Sequence, residues 1–307
     1  MVNNERYFEC YRQLQAKLLD RYGLIAQSRF LNLEKLSTRI HVLEAGAGEP
    51  IVFLHGGGGI AAEHIPVAAH LAKKFRVIMP DRPGHGLSDE FDYRNRDLRT
   101  ANVAFVEALL DELGVQSAAL IGNSYGGFMA LNFALAHPER VSKLIHLSFS
   151  PGLLDRRLPS MMRLMVTPIL GRLLGATLGR PNVKNTRMFF SKLMVAHIDR
   201  MPDELVELET LHSRRHGRGI GRLFRAGFTV RGFRPHYVMR DELPKVRVPT
   251  TFLWGERDTF MTCEAAQVAA RLVPGARFEV IRDAGHLPST DQPEATAALL
   301  DRELGSC

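Results

Sequence analysis

"AALIGNSYGG", residues 118–127, decides how this chain is read. An apolar run ends at Gly122, Asn123, Ser124, Tyr125, Gly126 and Gly127 with almost no polar transition. Apolar residues then resume at once with Phe128, Met129, Leu131, Phe133 and Leu135. The pattern predicts a strand, a turn and a helix that starts at once, with Ser124 pushed out at the top of the sheet. Gly-x-Ser-x-Gly in that setting is a nucleophile elbow. Its turn strains the serine backbone, and Gly122 and Gly126 avoid clashes that side chains would cause. A glycine-rich surface turn that happens to hold a serine is the plainer alternative, so the rest of the chain must supply the chemistry.

Working outward, strand and helix alternate up to residue 150. "SRFLNL" and "TRIHVLEAG" read as an antiparallel pair. "PIVFLHG" is a buried strand before a helix near Ala61 to Lys73, and "RVIMPD" precedes a helix from about Asp97 to Leu113. "AALIGN", the helix after Ser124 and "KLIHLSF" follow. After Arg247 come "TTFLWG", a helix near Cys263 to Leu272, "RFEVIR" and a last helix from about Pro293 to Leu304. Short apolar strands separated by helices imply a mostly parallel sheet covered on both faces. In such sheets sites form outside the carboxyl ends of the strands. Five predicted strand ends carry "LHGGGG", "PDRPGHGLS", "GNSYGG", "WGERD" and "DAGH", and turn chemistry alone explains that poorly.

A serine hydroxyl needs a base held by a third group. His286 lies just after the final strand and Asp258 after the strand before it, so they are the candidate base and acid. Asp155 is the rival acid, and Asp283, three residues from His286, fits a surface role better. His55 and His85, flanked by glycine, suit organising hydrogen bonds. For an oxyanion the candidate donors are the backbone N–H groups of Tyr125, at a helix start where the dipole favours negative charge, and of Gly57.

Residues 151–245 break the alternation. They show helical periodicity, many arginines, seven of the eleven methionines and no convincing buried strand. The expected organisation is a core of 1–150 and 246–307 with a helical insertion at 151–245. From Pro151 to Arg247 there are 16 Arg and 3 Lys against 4 Asp and 4 Glu, a balance of +11 within a chain of net +7. The run "HSRRHGRGIGRLFRAGFTVRGFRP" has the composition of a nucleic-acid patch. A solvated basic face is the simpler reading, then an acidic ligand, so no nucleic acid is expected.

With 45% apolar and 24% charged residues, the 307-residue chain has the composition of an ordinary globular protein. Cys10, Cys263 and Cys307 fit neither a disulfide framework nor a metal site, which points to a reducing cytoplasm. The start "MVNNERYFECYRQLQAKLLDRYG" reads as an amphipathic helix rather than a signal peptide. The apolar stretch 161–178, with Arg163, Pro168 and Arg172, is too interrupted for a membrane span.

Through "HGGGG", "DRPGHGLSD", "GNSYGG", "WGERD" and "AGHLPSTDQPE" the chain resembles the α/β-hydrolase-fold family over nearly its whole length outside the insertion. The order Ser124, Asp258, His286 is the one expected there. The resemblance implies a cap-bearing serine hydrolase that needs no cofactor or metal and acts on a small, partly apolar substrate. Serine as nucleophile separates it from epoxide hydrolases and haloalkane dehalogenases, which use aspartate. Cleavage of an ester or related acyl bond is the main expectation. "HGGGG" and "GNSYGG" are also similar to the carbon–carbon bond hydrolases of aromatic degradation, although the glycine run holds no proline and His286 has no tryptophan beside it. A ligand-binding receptor of low turnover is the third reading.

Overall fold

The computed structural model describes residues 4–94, 96–149, 152–158 and 181–305, with Arg163 and Thr167. In chain order the main elements are α1 (Asn4–Arg21), β1 (Ala26–Leu33), β2 (Thr38–Ala45), β3 (Pro50–Leu54), α2 (Ile65–Leu71), β4 (Arg76–Pro80), α3 (Leu98–Glu112), β5 (Ala118–Asn123), α4 (Tyr125–Ala136) and β6 (Val141–Leu147). Then follow α5 (Val183–Phe189), α6 (Asp203–Gly227), β7 (Thr250–Gly255), α7 (Cys263–Leu272), β8 (Arg277–Ile281) and α8 (Pro293–Gly305). The strands form one sheet in the order β1-β2-β4-β3-β5-β6-β7-β8. β2 runs antiparallel to both β1 and β4, and the other pairs are parallel.

Side chains alternate across each strand, so the sheet has a separate core on each face. Val52 and Leu54 of β3 and Leu120 of β5 join α3, α4 and α7 on one side. Ile51, Phe53, Ala119 and Ile121 join α1, α2 and α8 on the other. Helix α4 is buried almost all round, which its unbroken apolar sequence requires.

Two expectations are refined. The 61–73 helix is a 3₁₀ turn, Ala61–His64, followed by α2. Pro66 lacks an N–H, so it is tolerated only in a first turn, and the α-helix starts there. Within 151–245, where no buried strand was expected, Phe228–Thr229 pairs antiparallel with Gly232–Phe233. A ladder of two residues leaves no periodicity to read. The stretch 161–178 lies outside the described residues apart from Arg163 and Thr167. Among the described residues no helix is long and apolar enough to cross a membrane.

Helix α6, 25 residues and therefore about 37 Å long, bridges the two cores. Leu205, Val206 and Leu208 pack with one, Leu223 with the other. Helix α1 lies on it: Arg21 pairs with Glu204 at 3.0 Å, and the Arg215 guanidinium sits 4.8 Å over the Tyr7 ring. Part of the basic run thus packs on aromatic rings, while Arg214 and Arg218 remain exposed.

Candidate active site

β5 stops at Asn123 and α4 starts at Tyr125, leaving Ser124 alone in the turn with φ 52° and ψ −119°. A positive φ is costly for a residue with a side chain and persists only where the surroundings enforce it. Here the enforcement is close packing. A Cβ on Gly126 would lie 1.8 Å from the Leu54 carbonyl oxygen, and one on Gly122 would lie 2.5 Å from the Gly126 oxygen. The Ser124 N–H donates to Leu147 O (3.3 Å), and Ser124 O accepts from Gly127 N (2.9 Å).

His286 Nδ1 lies 2.9 Å from Asp258 Oδ2, with both side chains buried. The second carboxylate oxygen, Oδ1, accepts from Phe260 N at 2.8 Å, and the Phe260 ring stacks on the imidazole at 4.1 Å. With Nδ1 donating to the carboxylate, the lone pair of the neutral ring is on Nε2, which is buried without a hydrogen-bond partner. Asn123 ties this histidine to the elbow: its Nδ2 donates to His286 O (3.0 Å) and to Leu147 O (2.8 Å). Asp291 fixes the other side, accepting from Gly285 N (2.7 Å), Ala196 N (2.8 Å) and His197 N (2.9 Å). Burial pushes the Asp291 carboxyl up, against the pull of those amides.

The glycine run lies beside Ser124. A Cβ on Gly56 would be 3.5 Å from that of Ser124, and one on Gly57 would be 3.6 Å from that of Tyr125. Gly56 O accepts from Arg82 Nη2 (2.7 Å) and His55 Nδ1 (3.0 Å), and Gly57 O accepts from Arg82 Nη2 (3.2 Å). The peptide unit is planar and trans, so anchoring Gly56 O toward Arg82 turns the Gly57 N–H the opposite way. Tyr125 N–H, in the first turn of α4, has no intrahelical acceptor. His55 also accepts from Arg82 N (3.0 Å), and His85 Nε2 faces Gly57 O at 3.0 Å. Burial, and then the Arg82 charge, push both imidazoles well below the usual histidine range.

The structure thus pairs His286 with Asp258, ties that pair through Asn123 to the turn that holds Ser124, and sets Gly57 beside Tyr125. It does not bring the rival acids to the imidazole. The Asp155 carboxylate pairs with Arg157, and Asp283 pairs with His197, Arg200 and Arg257. Several neighbours escaped sequence reasoning. Asn102 accepts from Tyr125 OH at 3.0 Å, Arg82 lies 4.8 Å over the Tyr125 ring, and Phe224 and Ile220 of α6 cover Gly57 and Gly58. Asn123 stood in the quoted motif, yet only the fold shows its reach to His286. Among the described residues no group of three metal-ligating side chains converges.

A family model described as the alpha/beta hydrolase family matches residues 51–299. The chain is 32% identical over 295 residues to the 2-hydroxy-6-oxononadienedioate/2-hydroxy-6-oxononatrienedioate hydrolase of Paraburkholderia phymatum, covering 91% of this chain and 96% of that one. It is 28% identical over 262 residues to the 2-hydroxy-6-oxo-6-phenylhexa-2,4-dienoate hydrolase of Burkholderia cepacia, covering 84% and 88%. Among solved structures, naproxen esterase from Bacillus subtilis superposes with a TM-score of 0.76 at 23% identity, over 99% of both chains. With the eight-stranded sheet and the match across four-fifths of its length, the chain belongs to the alpha/beta hydrolase family.

Proposed function

We propose that the protein is a serine hydrolase that cleaves an ester or related acyl bond of a small, partly apolar substrate through an acyl-enzyme on Ser124. The observation that carries this reading is Ser124 at φ 52°, linked through Asn123 to a buried His286–Asp258 pair whose Nε2 is unspent. Ser124 Oγ attacks the carbonyl carbon while its proton passes to His286 Nε2. Asp258 holds the tautomer and stabilises the imidazolium. The N–H groups of Gly57 and Tyr125 receive the oxyanion. The imidazolium then gives its proton to the leaving group, and water, activated by the same imidazole, releases the acid. Residues 151–245 act as a cap, with Phe224 and Ile220 of α6 forming the wall over the glycine loop. No cofactor is needed for these steps.

The 32% identity to a 2-hydroxy-6-oxononadienedioate hydrolase favours a second reading, cleavage of a carbon–carbon bond in a vinylogous diketone at the same residues. Labelling with a fluorophosphonate and mapping the adduct tests the nucleophile, and Ser124 is the expected site. Burst kinetics on chromogenic esters, run beside a panel of ring-cleavage products, tests the bond. Turnover of the diketones without ester turnover would replace the first reading with the second. Labelling without turnover of either would leave a receptor.

A further inference from the structure

The fourth glycine of the run has its own neighbour. A Cβ on Gly59 would lie 2.2 Å from Glu63 Oε2, so the Glu63 carboxyl rests directly on the backbone of the glycine loop. The N–H of Ile60, the next residue, faces the same carboxyl. Glu63 is 2% exposed, and the group that acts on it is another buried carboxyl, that of Glu209 on α6; Glu63 Oε2 and Glu209 Oε1 are both buried with no other hydrogen-bond partner. Two carboxylates cannot sit in buried contact when both are charged, and one shared proton turns the repulsion into a hydrogen bond. Glu63 belongs to the sheet side of the site and Glu209 to the helix over it.

We propose that Glu63 is a positioning residue for the oxyanion loop, and that a proton shared with Glu209 clamps α6 onto that loop. This rests on the serine-hydrolase reading. Burial pushes Glu63 up to about 8, against the opposing pull of Glu209, Ile60 N–H and Arg82, while Asp81 adds to the rise. Burial, then Glu63 and Asp81, hold Glu209 well above the usual range. The pair therefore keeps a proton at neutral pH. When Glu63 ionises, Glu209, held higher, still supplies the shared proton. Only once that second proton leaves to solvent do the two carboxylates repel and the loop and α6 separate. The other groups facing the pair are Asp81 and Arg82 from the end of β4 and Tyr7 and Tyr11 from α1. Burial pushes both phenols well above their ordinary range, so neither titrates with the carboxyls. His212 and His216, also on α6, are pushed down and stay neutral in alkali.

The test is kcat/KM against pH for a neutral chromogenic ester in wild type, Glu63→Gln, Glu209→Gln and Glu63→Ala. Wild type should lose about tenfold or more in an alkaline limb above pH 8, because the loop amide acts on the transition state and small displacements there are costly. Either glutamine keeps a hydrogen bond without titrating, so both variants should lack that limb. Glu63→Ala should lower kcat roughly 10- to 100-fold at neutral pH with little change in KM, and Glu63→Gln should restore most of it. An alkaline limb that is absent in wild type, or unchanged in both glutamine variants, would overturn the proposal.

A second measurement needs no activity: the thermal midpoint of Glu209→Gln minus that of wild type, followed from pH 5 to 9. A carboxyl whose folded pKa is raised gives stability that is complete below its unfolded pKa and lost as pH rises toward the folded one. The gap should therefore widen with pH, by roughly 2–4 °C per unit. If wild type turned over no ester or diketone, the hydrolase reading would fail while this gap still judged the clamp. A gap independent of pH beside normal ester turnover would sink the clamp and leave the hydrolase standing.

Discussion

Replacing Gly126 with alanine tests the elbow without touching any reacting side chain. The new Cβ would fall 1.8 Å from Leu54 O, and Cβ atoms essentially never approach closer than 3.0 Å, so the backbones must part by about 1.2 Å. Both partners are main chain, and no rotamer can absorb the change. Overpacking of this kind costs about 3 kcal/mol, the upper end for small-to-large substitutions. The midpoint should then fall by about 6–12 °C. The displacement also enters the site, because Leu54 runs straight into His55, Gly56 and Gly57 while Gly126 follows Ser124 by two residues. A misplacement near 1 Å can cost about 10² in rate, so kcat/KM on a chromogenic ester should fall by about that factor with the circular dichroism retained. Gly58→Ala is the control. Its Cβ would meet Ile220 at 3.8 Å and Phe224 at 3.9 Å, ordinary contacts, and stability should change by less than about 0.5 kcal/mol. If Gly126→Ala matched Gly58→Ala in midpoint and rate, the close approach would not be what shapes the elbow.

Ser124→Ala should lower kcat by about 10⁴ or more with the fold intact. Near-full activity of that variant on an activated ester would remove Ser124 from the mechanism. Asp258→Asn should keep binding and lose most of the rate through the wrong imidazole tautomer, whereas Asp155→Asn should behave as wild type. The opposite ranking would move the acid to the strand before the insertion. His64 and His146, pushed down to about 3 by burial, and His216, held near 4, are neutral in the folded protein near pH 5. The unfolded chain binds those protons below its own pKa near 6.5, so stability should drop by about 1.4 kcal/mol per histidine for each pH unit below that value. Comparing urea midpoints at pH 7.5 and 5.5 in wild type and His146→Gln isolates one imidazole from the buried carboxyls, which shift the opposite way. Equal pH changes in the two proteins would mean that this imidazole is not held neutral.

The sheet was legible because its strands are short apolar blocks with helices between them. "AALIGN" and "TTFLWG" correspond residue for residue to β5 and β7. Ser124, Asp258 and His286 stood out because each follows such a block, and strand ends converge in a parallel sheet. Side chains that act from elsewhere in the chain left no local trace. Asn102 lies mid-helix, Asp291 in a short turn, and Glu209 would pass for an ordinary solvated glutamate of an amphipathic helix. Their roles depend on contacts made between segments, and the period of one segment carries no such information. The same limit applies to α1. Its apolar stripe of Tyr7, Tyr11 and Leu18 showed that something covers it, and only the fold shows that this is α6 together with β2, β3 and α2.

That contact also orders events during synthesis. Arg21 and its partner Glu204 are 183 residues apart, so although the apolar stripe of α1 shares a core with the earlier β2, β3 and α2, its α6 cover is missing until most of the chain has been made. At about 5–20 residues per second, the interval is roughly 10–40 s, far longer than a helix takes to form. For that time the flank of α1 that α6 will cover stays open beside the ribosome. Nascent chains stalled between α1 and α6 are the species in which chaperone capture and aggregation would concentrate.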